Sequence, residues 1–539
     1  MQTTRKHPAG GKPAMTMIAA GVLAAALAAC GGTPPRTLNV VAATGKALAA
    51  SVVTVRDASK NVVGSGTTDA NGKAAVTLLE SAAAPFLVSV AAPSGATLYA
   101  VTLLESAVNL TPLTSVIAMQ LLGNAPASAT AAQLAVIDAS KLATAQGQLA
   151  TALAGALQAK GVSAGYDFVN GSLAPGSSDP ADALLDAVQV KVNGADVDIV
   201  NASGTILAQM TGGGVPVASG NSIDEPALNL SARQQALIAT AAGTDTAPAL
   251  LQVGLDELHP TQPAVGYDQI YYKLGRYGAE DLVMAKTNKP KKFADLCEAN
   301  GQGDVVAKTS NVAGATLINP PPAFQCKSAP GSSPADMKTV VIGPKGKLYL
   351  TDGHHTFTGF WDADGGANHQ LKVWVKVTAN LSGLNEYDFW ALMKKTSRVW
   401  LRDGNNQPIV TSQLPRQIGL KSLGNDPYRS LVYYTRDAAY IVPAASTEFL
   451  EFYWADWLRN KPVLDLSTYN LSDAASYSAA ILKASQAMVA LKPSDVVSNG
   501  LTAATLGWSG VLNTAALDDL VSGTGKLTYA IAYKKSIGK

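Results

Sequence analysis

The sequence predicts a multidomain chain: an N-terminal β-sandwich, an Ala-rich helical or mixed middle segment, and a C-terminal domain of mixed strands and helices. Three observations lead there. The 539 residues are 47% hydrophobic and only 15% charged, enough apolar material for two or more buried cores. Runs of β-branched residues separated by turns fill residues 37–110, and an Ala-, Leu- and Gln-rich stretch at helical spacing follows from Ala131 to Ala159. Beyond residue 250, short strands lead into helix-start signals, and four of the chain's five histidines (His259, His354, His355 and His369) lie there.

At the N-terminus, Arg5, Lys6 and Lys12 precede an apolar run, Met15 to Ala29, that is too short to span a bilayer comfortably. Leu27-Ala28-Ala29-Cys30 resembles a bacterial lipobox. The resemblance implies a signal peptide over 1–29, lipidation of Cys30, a tether over 30–36, and the membrane as a partner reached through the lipid anchor. Gly31 stands where an Asp would suggest inner-membrane retention, so the expected location is the cell envelope, at an outer membrane facing the periplasm or the surface. An ordinary secretory peptide with a chance cysteine is the alternative. With Cys30 acylated, only Cys297 and Cys326 remain of three cysteines. In an oxidising compartment they allow one intramolecular bridge, favoured over two buried free thiols because the glycine- and proline-rich segment between them has little periodicity of its own.

In the β-rich segment, Ser51–Val55, Ala75–Leu78 and Phe86–Val90 read as strands, and Thr68-Asp69-Ala70-Asn71-Gly72 carries a hairpin signal. The segment is similar to carboxypeptidase-regulatory-like or Ig-like sandwiches, which implies a stalk or spacer. Over 111–210, a helical stretch is followed by a helix-to-strand pattern at Leu184–Val192 and a hairpin pattern at Val197–Gln209. Residues 211–228 have the composition of a linker.

The histidine-bearing region can be read more closely. Thr339–Ile342 and Lys347–Leu350 flank Gly343-Pro344-Lys345-Gly346 as a strand pair. Asp352 is suited to cap the helix that follows, which puts His354 and His355 in its first turn. Unsatisfied amides and the positive end of the helix dipole attract anions there and favour neutral imidazoles. Leu371 to Thr378 alternates apolar and polar residues as a half-buried strand does.

Four blocks in order resemble the ParB/sulfiredoxin-like fold family, more narrowly its ParB-like nuclease branch. They are Leu258-His-Pro260-Thr261-Gln262-Pro-Ala-Val265-Gly266 with Lys273; Thr351-Asp352-Gly353-His354-His355-Thr356; Leu381 to Trp390; and Asp426-Pro427-Tyr428-Arg429 with Arg436, ending at Glu448 to Arg459. The resemblance covers roughly 250–465 and implies an α+β fold there; outside it, Ala474–Val489 has helical spacing, Leu527–Tyr533 reads as a final strand, and 466–539 is expected to pack on the histidine-bearing domain. The resemblance implies catalytic roles for His354, His355 and Asp352, and ligand contacts from Gly353, Thr356, Gln262, Lys273 and Arg429. In the family this loop typically continues with an arginine; here Thr356 takes that place, and Arg429 and Lys273 are the candidates to substitute for it if the fold brings them near.

Three functions compete. One is a nuclease or phosphoester hydrolase with a histidine as general base. Another is a metal site in which His259 or His369 completes the ligands; no cofactor is otherwise indicated, and a divalent metal stays open. The third is a non-enzymatic binding module at the surface or in the periplasm. The expected ligand is a phosphate-containing molecule or nucleic acid, and no protein partner is identifiable. Lys286, Lys289, Lys291 and Lys292 form one basic cluster, but 41 basic against 39 acidic residues give no bulk electrostatic case for nucleic acid.

Overall fold

The computed structural model describes residues 36–92, 95–225, 228–243, 247–278, 290–306, 315–444, 446–460 and 463–539. The expected signal peptide, Cys30, most of the tether, Lys286 and Lys289 lie outside these residues. The chain divides into two compact units. One comprises residues through Ala118 with Ala129–Ala139 and Asp167–Gly176; the other comprises Met119–Ser128, Ser140–Tyr166 and Ser177–Lys539.

The first unit is β-rich. Its strands are β1 (Thr37–Ala42), β2 (Val52–Arg56), β3 (Val62–Thr67), β4 (Lys73–Thr77), β5 (Phe86–Ala91), β6 (Thr97–Thr102) and β7 (Ala107–Leu110). They form a three-stranded sheet, β4-β1-β7, and a four-stranded sheet, β3-β2-β5-β6. Val53, Val55, Phe86, Val88 and Val90 are fully buried, as alternation along a one-sided strand requires. The Asn71-Gly72 turn corrects the sequence expectation, because it joins strands of different sheets and no hairpin forms. Asp69 Oδ1 accepts from the N–H groups of Asn71 (2.8 Å) and Lys73 (2.9 Å), and Gly72 takes a φ of +72°. Strand β4 then pairs with β1, placing Val76 opposite Leu38 and Ala74 opposite Val40, all buried.

The middle segment opens with α1 (Pro112–Leu122), and its Ala-rich stretch forms α2 (Ala131–Ala135), α3 (Ala139–Ala152) and α4 (Ala154–Lys160). In the second unit, α5 (Pro180–Ala187) leads into β8 (Val188–Asn193), β9 (Asp196–Asn201), β10 (Ile206–Thr211) and β11 (Val217–Ala218). These strands make an antiparallel sheet in the order β11-β10-β9-β8. Residues read as a linker on composition are therefore tied down: Val217 and Ala218 pair with Gln209 and Ala208, and Asn201 Nδ2 donates to Ile223 O at 3.0 Å.

The rest of this unit runs α6 (Ala232–Ile238), β12 (Ala249–Gly254), β13 (Leu258–Pro260), β14 (Ala264–Val265), α7 (Tyr267–Gly278), α8 (Lys291–Ala299), β15 (Thr339–Ile342), β16 (Leu348–Leu350), α9 (His354–Asp362), β17 (Lys372–Asn380), α10 (Glu386–Lys395), β18 (Gly424–Asn425), α11 (Pro427–Thr435), α12 (Leu450–Asn460), α13 (Ala474–Val489), β19 (Val496–Ser498), β20 (Leu501–Thr502), α14 (Thr514–Leu520) and α15 (Lys526–Ser536). A mixed five-stranded sheet, β12-β17-β15-β16-β13, is its centre. Val340, Ile342, Val373 and Val375 pack there with Ile270, Phe293, Phe357 and Phe360 from the helices, all fully buried. A second core, between α11, α12, α13 and α15, buries Leu431, Tyr434, Trp454, Leu458, Tyr477 and Leu527.

Leu527–Tyr533, expected as a strand, is the middle of α15. Aromatic and β-branched residues suggested the strand, but Leu527, Ala530 and Lys534 are buried at helical spacing. Helix α15 lies close against α7, where a Cβ on Gly275 would sit 2.5 Å from Tyr529 O. Cys297 on α8 is joined to Cys326, with Cα atoms 5.5 Å apart.

Candidate functional site

The site starts at the turn between β16 and α9. Gly353 is the N-cap of α9 at a φ of +105°, a conformation open to glycine, and a Cβ there would meet the Lys338 side chain at 2.6 to 2.9 Å. Asp352 is therefore not the cap. Its carboxylate makes no capping bond, is half exposed, and lies 3.7 Å from Lys338 Nζ.

His354 and His355 are buried, at 3% and 9% exposure, and each is tied to backbone. His354 Nε2 accepts from the N–H of Thr261 at 3.1 Å, and His355 Nε2 accepts from the N–H of Gly266 at 2.9 Å. Thr261 Oγ1 in turn donates to Leu350 O at 2.7 Å. The two rings thus clip the Pro260–Gly266 loop to the start of α9. Burial drives the His354 pKa down to about 3, and burial with the nearby Arg429 charge holds His355 well below its ordinary value. Both rings are neutral because of desolvation, which corrects the expectation that the helix terminus does this. A neutral ring accepting at Nε2 carries its proton on Nδ1, so each imidazole keeps one donor and no free basic nitrogen.

These rings form part of the wall of a cavity of roughly 180 Å³. Gln262 and Thr356 line it, and Arg429 reaches it from α11. Arg429 is held in place from several sides. Its Nη1 donates to Gln269 Oε1 at 3.3 Å, its Nη2 pairs with Glu451 Oε2 at 3.4 Å, and the guanidinium lies 5.6 Å over the Phe452 ring. Arg436 forms an ion pair with the same Glu451 and lies 5.5 Å over Tyr433. Burial raises the Glu451 pKa, but Arg429 and Arg436 outweigh it and hold the carboxylate down to about 2. One carboxylate thus serves two guanidiniums. The Nε–H groups of both arginines are buried and, among the described residues, have no acceptor.

Glu448 closes the wall. Burial, and then the charge of Asp352, raise its pKa to about 7 against the pull of Arg398 and Lys376. The next residue, Phe449, has a φ of +59°. That is a strained value for a bulky side chain and one that concentrates at functional sites.

Other expected site residues lie elsewhere. Lys273 does not line this cavity: its Nζ pairs with Asp295 Oδ2 at 3.0 Å, beside a smaller hollow of about 40 Å³ that shares Lys338 and Thr356. Burial raises the Asp295 pKa, but Lys273 and Lys291 bring it down to about 2. His259 donates from Nδ1 to Arg416 O at 3.0 Å, and His369 stacks on Trp361 at 4.0 Å. Neither joins His354 and His355 on the wall, and among the described residues no group of three or more His, Cys, Asp or Glu could hold a metal ion.

Gln269, Lys338, Arg436, Glu448 and Glu451 are among the wall residues that had no role on sequence alone. A signal was present. Arg429 and Arg436 flank the apolar run Leu431–Tyr434, and Glu451 is followed by Phe452, Tyr453 and Trp454. Charges set among buried aromatics have to be paired with one another.

Residues 251–460 match a protein family described as "Putative ParB-like nuclease". No curated protein matches the chain. Among solved structures, protein Atu1540 from Agrobacterium tumefaciens is similar at 22% identity over 44% of this chain and 90% of that one. Its TM-score of 0.29 is too low to bear on the site. The whole cavity wall, from Gln262 to Phe452, falls within the matched residues 251–460.

Proposed function

We propose that the cavity binds a phosphoryl group and hydrolyses its ester, in keeping with the nuclease-like resemblance of residues 251–460. The observation that carries this reading is that Arg429 and Arg436 both line the cavity while sharing a single carboxylate, Glu451. The forked donors of a guanidinium suit phosphate oxygens. Glu451 neutralises one of the two arginines, which leaves a cationic site for an anion.

Glu448 is the proton carrier in this reading, because a carboxyl near pH 7 can both give and take a proton. Water oxygen forms the new bond to phosphorus, and the bond to the ester oxygen breaks with its electron pair on that oxygen. The Glu448 carboxylic acid protonates the leaving oxygen, and a proton from the attacking water returns to the carboxylate. The products are an alcohol and a phosphate that carries one ester bond fewer. His354 and His355 are positioning residues that hold the Pro260–Gly266 loop and present Nδ1–H. Gly353, Thr356 and Gln262 complete the ligand contacts.

A second reading, a binding module without turnover, is favoured by one observation: both histidine Nε2 atoms are occupied by backbone amides. Assays on nucleic acid and phosphoester panels, with and without divalent metal, separate the two. Glu448→Gln should lower hydrolysis a hundredfold or more. Binding with no hydrolysis by the wild type would select the module.

The same proposal places the protein in the cell envelope, anchored through Cys30, with the two-sheet unit as an Ig-like or carboxypeptidase-regulatory-like spacer. The Cys297–Cys326 bridge supports an oxidising compartment.

A further inference from the structure

We infer that the ligand of this cavity is a phosphomonoester, a terminal phosphate on a small polar body, and not an internal phosphodiester of a nucleic acid duplex. The inference rests on the phosphoryl-binding reading above and narrows it.

Depth is the first reason. Two of the groups that would grip the anion are nearly out of solvent, Arg429 at 4% exposure and His354 at 3%, and Arg436 beside them is part-buried. A duplex carries its phosphates on a stiff, convex cylinder whose grooves are about 6 to 12 Å wide. Such a backbone cannot lower one phosphorus atom onto residues buried this far, whereas a chain-end phosphate enters head first.

Size points the same way. Roughly 180 Å³ is below the range of about 300–1,000 Å³ typical of pockets that enclose drug-sized molecules. It accommodates a phosphate head and a short polar stem, with any larger body left outside.

The wall chemistry discriminates further. The wall sets Lys338 and two guanidiniums against Asp352 and Glu451, and Glu448 can hold a proton near neutrality, so it offers the third unesterified oxygen of a monoester a donor that a diester cannot use. Single-strand binders offer free aromatic faces on which bases stack. Here the aromatic wall is already used: Phe452 packs with Arg429 at 5.6 Å and with Trp400 at 5.1 Å, and Phe449 packs with Trp400 at 6.1 Å. Basic and acidic residues are nearly equal in number, 41 to 39, so the chain as a whole adds no attraction to a polyanion.

The test is calorimetric titration of the full chain at pH 6.5 with inorganic phosphate, ribose 5-phosphate, dimethyl phosphate, and a DNA duplex with unphosphorylated ends. Phosphate and ribose 5-phosphate should bind at least tenfold more tightly than dimethyl phosphate, and the duplex should fail to displace phosphate. Arg436→Gln should weaken phosphate at least tenfold. Lys338→Gln, a change at a partly exposed ion pair, should weaken it several-fold and serves if the arginine variant does not fold. A diester or duplex that binds as tightly as the monoester, with phosphate still sensitive to these substitutions, overturns the inference and leaves the phosphoryl site standing. Absence of phosphate binding altogether overturns both.

Discussion

The Nε2 atom of His355 accepts a hydrogen bond from the N–H of Gly266, 89 residues earlier in the chain, at 2.9 Å. This contact makes the histidine a structural clip before it is anything else. His355→Leu leaves that amide buried without an acceptor and should cost about 1–3 kcal/mol of stability in chemical denaturation. His354→Leu should act similarly through Thr261. Unchanged denaturation midpoints for both variants would refute the clip.

Glu451 holds Arg429 and Arg436 together. Glu451→Gln leaves the buried Arg429 and the part-buried Arg436 without their shared counter-charge, and its urea midpoint should fall by an amount equivalent to about 3–5 kcal/mol. A loss below about 1 kcal/mol would mean that the pair behaves as a solvent-screened one.

Glu448 should give the protein a pH signature. Its folded pKa of about 7 lies above the unfolded value of about 4.3, so the folded chain holds this proton more tightly. The resulting stabilisation is complete below about pH 4.3 and is lost as pH rises through about 7. Glu448→Gln does not titrate. Relative to wild type it should gain about 2 kcal/mol between pH 4 and pH 8, with solvent screening of the partly exposed side chain allowed for. Parallel stability curves for the two proteins across that range would contradict the raised pKa.

The Cys297–Cys326 bridge closes a loop with a sequence separation of 29. Cys297→Ser should lower stability by about 3–4 kcal/mol on the chain-entropy account. Peptide mapping without reductant should recover the two cysteines joined, and two free thiols in exported material would exclude the bridge.

The anchor can be checked at Cys30. Cys30→Ala should abolish acylation and move the protein out of the membrane fraction. An unchanged mature N-terminal mass together with unchanged fractionation would rule out lipidation.

Contiguous motifs made part of this site legible in sequence. Gly353, His354 and His355 follow one strand directly, and Gln262 and Arg429 sit in compact blocks of their own, so their convergence on one cavity required only that the blocks meet. Arg436 and Glu451 were harder to find, because their pairing runs from the end of α11 to α12 and no local spacing encodes which charges will meet; Glu448 sits in the loop before α12, where no motif marked it. Asp352 misled for a local reason: a side-chain cap is the common helix start, but the left-handed turn at Gly353 took that position. In the fold, alternation located β17 to within a residue or two at its start, whereas β propensity misassigned α15, whose tertiary packing on α7 decides its conformation.

The contact at Gly275 has a consequence for where this domain ends. Asp268, in the first turn of α7, is 5% exposed and is satisfied by Lys534 Nζ at 2.6 Å and by the Tyr477 hydroxyl, which donates at 3.0 Å. Both partners lie beyond residue 460, where the likeness to the family stops. The segment shared with relatives is therefore shorter than the piece that can fold. A fragment trimmed to the homologous boundary would strand a buried carboxylate and strip the cover from Tyr434 and Trp454, so it should precipitate where a chain running to Lys539 stays in solution.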